Sequence, residues 1–382
     1  MYALGSQRPL FDIPDGVAYF NTAYNGPLLN ASRERLVAAA GAKSRPWERT
    51  PADFFADAER LRVLAAGLFG ADADGWAIIP ASSYGVSTAA RAVEPSLRPG
   101  DRVLLLDEEF PSNVLPWRRV ARETGAEIVT VPTPQDFDWT GAVLAALAPD
   151  VRVASLAPCH WTNGARLDLA RIGEACRAHG TILVVDATQS LGAMPLDLQA
   201  IAPDFLVASG YKWLLCPYGF SLLYVAPAWR DARPLEETWL ARANAEDFAG
   251  LVRYSDEYRS GARRFDMGET CVTTVLPGAV AALEQLTAWG VPAIAESLGA
   301  VNARLIESLE TLGFKVAPAT QRCPHLFGAR LPDGVGGDVV GALRSRGVYI
   351  SQRGASLRFA PHLHVTEADI AKLFEALEAT AA

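Results

Sequence analysis

Cysteine, positive charge and long apolar runs are all scarce in this sequence, and each scarcity narrows what it can be. Five cysteines (Cys159, Cys176, Cys216, Cys271, Cys323) are scattered through 382 residues with no CxxC pair. That argues against a zinc ribbon or a disulfide framework and fits a reducing compartment, so a cytoplasmic location is expected. Lys and Arg number 35 against 43 Asp and Glu, a net charge of −8, and no basic stripe is present, so no nucleic-acid partner is expected. The longest apolar stretches, such as ILVV at 182–185 and SLLYVA at 221–226, are far too short to span a bilayer and read as buried strands. The opening MYALGSQRPLFDIP has no basic stretch followed by an apolar run, so neither a signal peptide nor a membrane partner is expected. No short-period repeat or low-complexity tract occurs. No GxGxxG follows the first strand, which removes a dinucleotide-dependent oxidoreductase.

What is present is a globular composition, half hydrophobic and one-fifth charged, long enough for a large core and two domains. From about residue 60, helical patterns (53–69, 85–93, 112–124, 140–147, 168–178) alternate with apolar strands: WAIIP, RVLLLD, EIVTVP, VRVASLA, TILVVDA, PDFLVAS and FSLLYVA. Strands joined by helices of this length build a mostly parallel sheet covered on both faces, an α/β fold. After about residue 275 the rhythm changes to α+β: a helical run over 277–312, strands in GFKVA, HLFGARL, VYISQRG and LRFAP, and helices over 337–346 and 367–379. The division expected is a segment 1–30 packing at the domain junction, a large domain 31–275 and a small C-terminal domain 276–382.

Chemistry collects where strands end. ILVVDATQS finishes an apolar strand with Asp186, whose carboxylate would enter the crevice where open α/β sheets bind ligands. Taken alone, an Asp there is more often a helix N-cap. SGYKW then places Lys212 in a turn between two apolar strands, with Ser209 three residues earlier. A desolvated lysine becomes a nucleophile at neutral pH, although most single turn lysines are simply solvated. In IIPASSYGVS a strand passes into a helix at Ser82 and Ser83, where free N–H groups and the helix dipole cradle phosphate, or where serine merely caps. Phe110 in LLLDEEFPSN is an aromatic past a strand end, and Asn163 in PCHWTNGAR is an amide in a turn. Each feature has an ordinary explanation. Their combination is an anion cradle, an aromatic plate, an amide, a carboxylate and an amine at five strand ends of one sheet. That is the inventory of a pyridoxal 5'-phosphate (PLP) site.

On these motifs, above all VVDATQS followed by ASGYKW, the sequence resembles aminotransferase class V. This branch of fold-type-I PLP-dependent transferases includes cysteine desulfurases, kynureninases, isopenicillin N epimerase-like proteins and C–S lyases. The resemblance runs from YFNTAYNGPL near the start to LRFAP near the end. It implies Lys212 as the catalytic amine, linked to PLP as a Schiff base and moving the proton at the substrate Cα. It implies Asp186 paired with the pyridinium nitrogen, Gln189 on the ring hydroxyl, and Phe110 over the ring. Ser82, Ser83 and Ser209 would bind the phosphate, with Tyr211 where many relatives carry a phosphate-facing histidine. Asn163 would lie near the ring oxygen and the substrate carboxylate, and Arg358 in SLRFAP would clamp that carboxylate. The partner is an amino-acid substrate, and the assembly implied is a homodimer with active sites near the subunit interface.

Departures narrow the reading. Desulfurases place a nucleophilic cysteine shortly before the late arginine, whereas VYISQRGASLRF has none, so persulfide chemistry is not expected. In FDMGETCV, Gly268 matches the loop that reaches a partner's phosphate, Glu269 replaces its threonine, and Thr270 is the candidate substitute. His362 and His364 form an HxH without a third ligand at metal spacing, so no metal is expected, and they are candidates to face substrate. Trp161 and Trp213 are candidate pocket walls, and Arg353 is either a second carboxylate contact or a solvated strand-end residue. The expected reaction proceeds through an external aldimine and a Cα carbanion, of aminotransferase or C–S lyase type. Epimerase and kynureninase-like chemistry are alternatives on the same scaffold, and a non-catalytic binding protein is the alternative of another class.

Overall fold

Continuous apolar runs become seven strands of one sheet in the computed structural model, which describes residues 3–332, 334 and 336–381. They are β1 (Trp76–Ile79), β2 (Arg102–Leu106), β3 (Glu127–Val131), β4 (Val151–Leu156), β5 (Ile182–Asp186), β6 (Phe205–Ser209) and β7 (Ser221–Val225). Their spatial order is β1-β7-β6-β5-β4-β2-β3. All neighbours run parallel except β7, which is antiparallel to both β1 and β6. Two antiparallel steps restore direction, so the carboxyl ends of β1, β2, β4, β5 and β6 emerge on one edge. Ligands bind at that edge in open α/β sheets.

Strand alternation divides the core between the two faces of this sheet. Ile78, Leu104, Leu106, Val185 and Leu206 join one buried cluster, while Ala77, Ile79, Val103, Leu105, Val184 and Val207 join another. Both faces are therefore apolar, which is why these strands read as unbroken hydrophobic runs.

A second sheet has four strands, β8 (Lys315–Val316), β9 (Phe327–Arg330), β10 (Ser351–Arg353) and β11 (Ser356–Phe359), in the order β10-β11-β9-β8, with every pairing antiparallel. It contributes to a third core with Leu305, Leu309, Leu343, Leu373 and Leu377 from the adjacent helices. The helical run expected over 277–312 is two helices, Leu276–Trp289 and Val291–Thr311. Gly290 at φ +76° ends the first, and Pro292 lies in the first turn of the second, so the chain turns where a single helix cannot continue. VYISQRG likewise divides. Val348–Tyr349 pairs in parallel with Ala18–Tyr19, and only Ser351–Arg353 joins the hairpin.

The N-terminal segment ties the two sheets together. Ala18 and Phe20 are buried in the third core, while the Gly26 N–H donates to the Tyr211 carbonyl at 2.8 Å. A Cβ at Gly26 would lie 2.2 Å from the Lys212 carbonyl oxygen, so only glycine admits this approach.

Candidate active site

The floor of the site is built by β5 and β6. Asp186 is the last residue of β5, and its Oδ1 accepts the Thr188 N–H at 2.9 Å. The Thr188 hydroxyl in turn accepts the Ser209 N–H at 3.1 Å, joining the ends of the two strands. Burial pushes the Asp186 carboxyl up, opposed by the Thr188 hydrogen bonds and the Lys212 charge.

Lys212 follows β6 in a connection whose next three residues, Trp213, Leu214 and Leu215, are completely buried. It is therefore not a surface turn lysine; it is itself only 6% exposed. Burial lowers its amine to about 8, with Asp186 opposing and the Arg358 and Arg353 charges adding to the fall. Its Nζ lies 5.5 Å from the Phe110 ring centroid and 5.6 Å from that of Tyr211. Among the described residues no carboxylate reaches it within salt-bridge distance. An amine held this way is poised to react at neutral pH.

The walls come from β2 and β4. Phe110 opens the helix Pro111–Thr124 and packs edge-on against Trp161, with centroids 5.4 Å apart. The Trp161 indole N–H is anchored to the Glu108 carbonyl at 2.6 Å. Glu109 is buried beside Asp186: Oε1 accepts the Phe110 N–H at 2.7 Å and Oε2 has no partner. Burial, then the Asp186 charge, raises its carboxyl to about 8, so it is largely neutral at pH 7. Glu109, Phe110, Trp161, Asp186, Gln189 and Lys212 line one hollow, together with Ala157, Cys159 and Thr188. Glu109 and Thr188 are absent from the sequence-derived set. In DEEF three acids precede the aromatic and nothing local separates the buried one from the other two. Thr188 carried a usable signal, being a hydroxyl two residues beyond a strand-end acid.

Arg358 enters from β11. It is 1% exposed, with Nε on Ser351 Oγ at 3.1 Å, Nη1 on the Trp161 carbonyl at 2.8 Å, and Nη2 buried without a partner. Burial, then the Arg353 charge, pushes its guanidinium down to about 9. A buried donor left open costs free energy until an acceptor arrives.

Other expected residues stand around or apart from the hollow. Ser82 is buried and Ser83 exposed in the first turn of helix Ser82–Val93, whose leading N–H groups have no acceptor within the helix. Tyr211 stacks on Tyr218 at 3.9 Å, half-buried, and burial raises its hydroxyl. Gln189 is engaged at both ends of its amide: Nε2 donates to the Ala23 carbonyl at 3.0 Å and Oε1 accepts the Trp213 indole at 2.9 Å. Asn163 closes its own turn, with Oδ1 accepting the Ala165 N–H at 3.0 Å, and does not line the hollow. The Thr270 hydroxyl donates to the Met267 carbonyl at 2.5 Å. Trp213 is core rather than wall. His362 and His364 do not face the hollow either. His362 is buried among Phe11, Trp213 and Trp289, and the His364 Nε2 contacts the Tyr19 carbonyl at 2.8 Å. Among the described residues no group of three His, Cys, Asp or Glu side chains could hold a metal, and no helix is long and apolar enough to cross a membrane.

A desolvated amine, an acid at the end of a neighbouring strand and an aromatic plate in one hollow, with an open buried guanidinium held on its Trp161 wall, fit PLP and an amino-acid carboxylate. Comparison with known proteins agrees. The family model for aminotransferase class-V matches residues 25–368. Isopenicillin N epimerase of Streptomyces clavuligerus is 28% identical over 387 residues, covering 95% of this chain and 94% of that one. A probable cysteine desulfurase of Vibrio cholerae is 33% identical over 155 residues, covering 40% of this chain and 36% of its own. Among solved structures, the cystine C–S lyase C-DES in complex with cysteine persulfide superposes with a TM-score of 0.85 at 21% identity, over 95% and 98% of the two chains. The chain belongs to the aminotransferase class-V family of fold-type-I enzymes, and its cofactor is pyridoxal 5'-phosphate.

Proposed function

We propose that this enzyme, as a homodimer, works at the Cα of an amino acid in a reaction of aminotransferase or C–S lyase type. The observation that carries the reading is the buried, unpaired Lys212 amine sharing a hollow with Asp186, while the open guanidinium of Arg358 is anchored on Trp161, a wall of that hollow. When bound, PLP supplies an electron-withdrawing ring that makes the substrate Cα–H acidic. Lys212 holds the cofactor and moves the proton at Cα, for which an amine near 8 is matched to neutral pH. Asp186 is the acceptor for the ring nitrogen, and Phe110 covers the ring. Gln189 is assigned to the ring hydroxyl through its remaining amide N–H, and Asn163, whose Oδ1 is held in its own turn, to the ring oxygen and substrate carboxylate through its amide N–H. Ser82, Ser83, Ser209 and Tyr211 form the phosphate cradle, which Thr270 would complete across the dimer. Arg358 orients the substrate through its α-carboxylate in a charge-assisted bidentate contact. A binding protein without chemistry would have no use for a desolvated lysine at this point.

Persulfide chemistry of the desulfurase kind is disfavoured. Segment 348–359 offers no cysteine, and Cys159, which lines the hollow, has its thiol raised well above the usual value by burial and by Cys323. Epimerisation is the second reading, favoured by the near-full-length similarity to isopenicillin N epimerase.

The test uses protein loaded with PLP and a panel of amino acids and S-substituted cysteines. Release of keto acid, or of pyruvate with ammonia, supports the first reading. Exchange of the Cα proton with solvent deuterium, accompanied only by loss of optical rotation, selects epimerisation. Absence of a borohydride-reducible cofactor band that depends on Lys212 would overturn both.

A further inference from the structure

Two arginines share one face of the β10–β11 hairpin. Ser351 lies directly opposite Arg358, and Arg353 opposite Ser356. Opposed residues point the same way and alternate residues repeat the direction, so Arg353 and Arg358 share a face. Leu357 and Gln352 take the other face, with Leu357 buried in the third core. The two guanidiniums bracket Trp161: Arg358 Nη1 is on its carbonyl at 2.8 Å, and the Arg353 guanidinium carbon lies 5.4 Å from its ring centroid. Trp161 is a wall of the hollow that holds Lys212.

Arg353 has no acidic partner among the described residues. Its Nη1 donates to the neighbouring Gln352 carbonyl at 2.7 Å, and among the described residues no carboxylate forms a salt bridge with it. Arg259 and Arg263, by contrast, each bind Glu59, and Arg62 binds Asp266. Stacking on an indole is a sufficient reason for one arginine to sit at Trp161. It does not explain why two guanidiniums that repel one another and lower the nearby amine stand together with, among the described residues, no carboxylate in salt-bridge range of either, the Asp186 charge being set against Lys212. An anion with two negative groups relieves that repulsion, and a substrate with one does so only in part.

We infer that the substrate is an amino acid with an anionic side chain, a carboxylate or a sulfur oxyacid, whose far group is received by Arg353 while Arg358 holds the α-carboxylate. The inference rests on the Cα reading above and adds the substrate class to it.

Unreactive probes separate the two claims. Binding of succinate, glutarate and 3-sulfopropionate to the loaded enzyme is measured by calorimetry and by the cofactor absorbance, with propionate and butyrate as single-anion controls. The doubly charged probes should bind about ten-fold more tightly than the controls. Succinate against 3-sulfopropionate, which have the same spacer, then distinguishes a carboxylate from a sulfonate at the far position. Arg353→Gln should remove that advantage and leave butyrate within about two-fold, Arg353→Lys should recover part of it, and Arg358→Gln should weaken both classes alike. Equal binding of both classes to the wild type overturns the inference even if the variant does not fold, as does an Arg353→Gln variant that weakens both equally. If no carboxylate binds and Arg358→Gln changes nothing, the carboxylate clamp of the Cα reading fails, and this inference falls with it. Failure of the Arg353 arms alone leaves that reading standing.

Discussion

The hollow and the hairpin beside it are made from different materials. The floor is laid by strand ends of the seven-stranded sheet and is acidic and deeply buried, with Asp186 and Glu109 side by side. Beside its Trp161 wall stands a hairpin of the four-stranded sheet that carries Arg353 and Arg358, neither of which, among the described residues, has a carboxylate partner. The floor is held by a closed chain of hydrogen bonds through Thr188 and Ser209. The hairpin meets the hollow through Arg358 on the Trp161 carbonyl and Arg353 on the Trp161 ring. Rigid, satisfied groups suit a resident cofactor, and open cationic groups suit a ligand that comes and goes.

That contrast is breakable at the floor first. Lys212→Ala is expected to lower turnover by at least about 10³-fold and abolish the borohydride-reducible band, because nucleophile and proton carrier are lost together. Circular dichroism should be unchanged. Gly26→Ala should destabilise the protein by about 2–4 kcal/mol, since the new Cβ meets the Lys212 carbonyl in a packed core. Chemical denaturation measures this, and a neutral result would mean that the N-terminal segment does not clamp the lysine turn. On the hairpin, Arg358→Gln should raise KM for any amino acid substrate by about 10–100-fold, the worth of a charge-assisted pair, with kcat less affected.

The smallest effect concerns Glu109. Its carboxyl is raised from 4.5 to about 8, so between those pH values the unfolded chain gives up a proton that the folded chain keeps. Folded-state stability from this group is full at low pH and is lost as pH rises through that window. Glu109→Gln keeps the shape and cannot ionise, so its melting temperature relative to wild type should climb by about 2–4 °C from pH 5 to pH 8. A difference that is flat with pH would show that Glu109 is already ionised beside Asp186.

Local chemistry made the floor legible. Asp186 and Lys212 each follow an apolar run that can only be a buried strand, and a polar residue at such an end has few places to go but the ligand edge. Phe110 was readable for the same reason. Glu109 was not, because its burial comes from the helix Pro111–Thr124 and from β4, where Asn113 and Ser155 interlock at 2.6 Å. Asn163 and Thr270, read as ligand contacts, also complete turns with their side chains, a local bond always open to Asn and Thr. The split at Gly290 was written in the sequence as a glycine with a proline two residues later, and it was outweighed by the helical pattern on either side.

By itself the sequence determined the strand and helix rhythm, the covered parallel sheet, the amine–acid pair and the late arginine, because these rest on short-range periodicity and on turn chemistry. Only the tertiary structure decided that Arg353 and Arg358 meet Trp161, nearly two hundred positions earlier in the chain, and that a second acid lies beside Asp186. Those outcomes depend on hairpin register, strand order and the burial of one side chain rather than its neighbour. No local run of residues carries that information, since it arises when distant segments close over the same hollow.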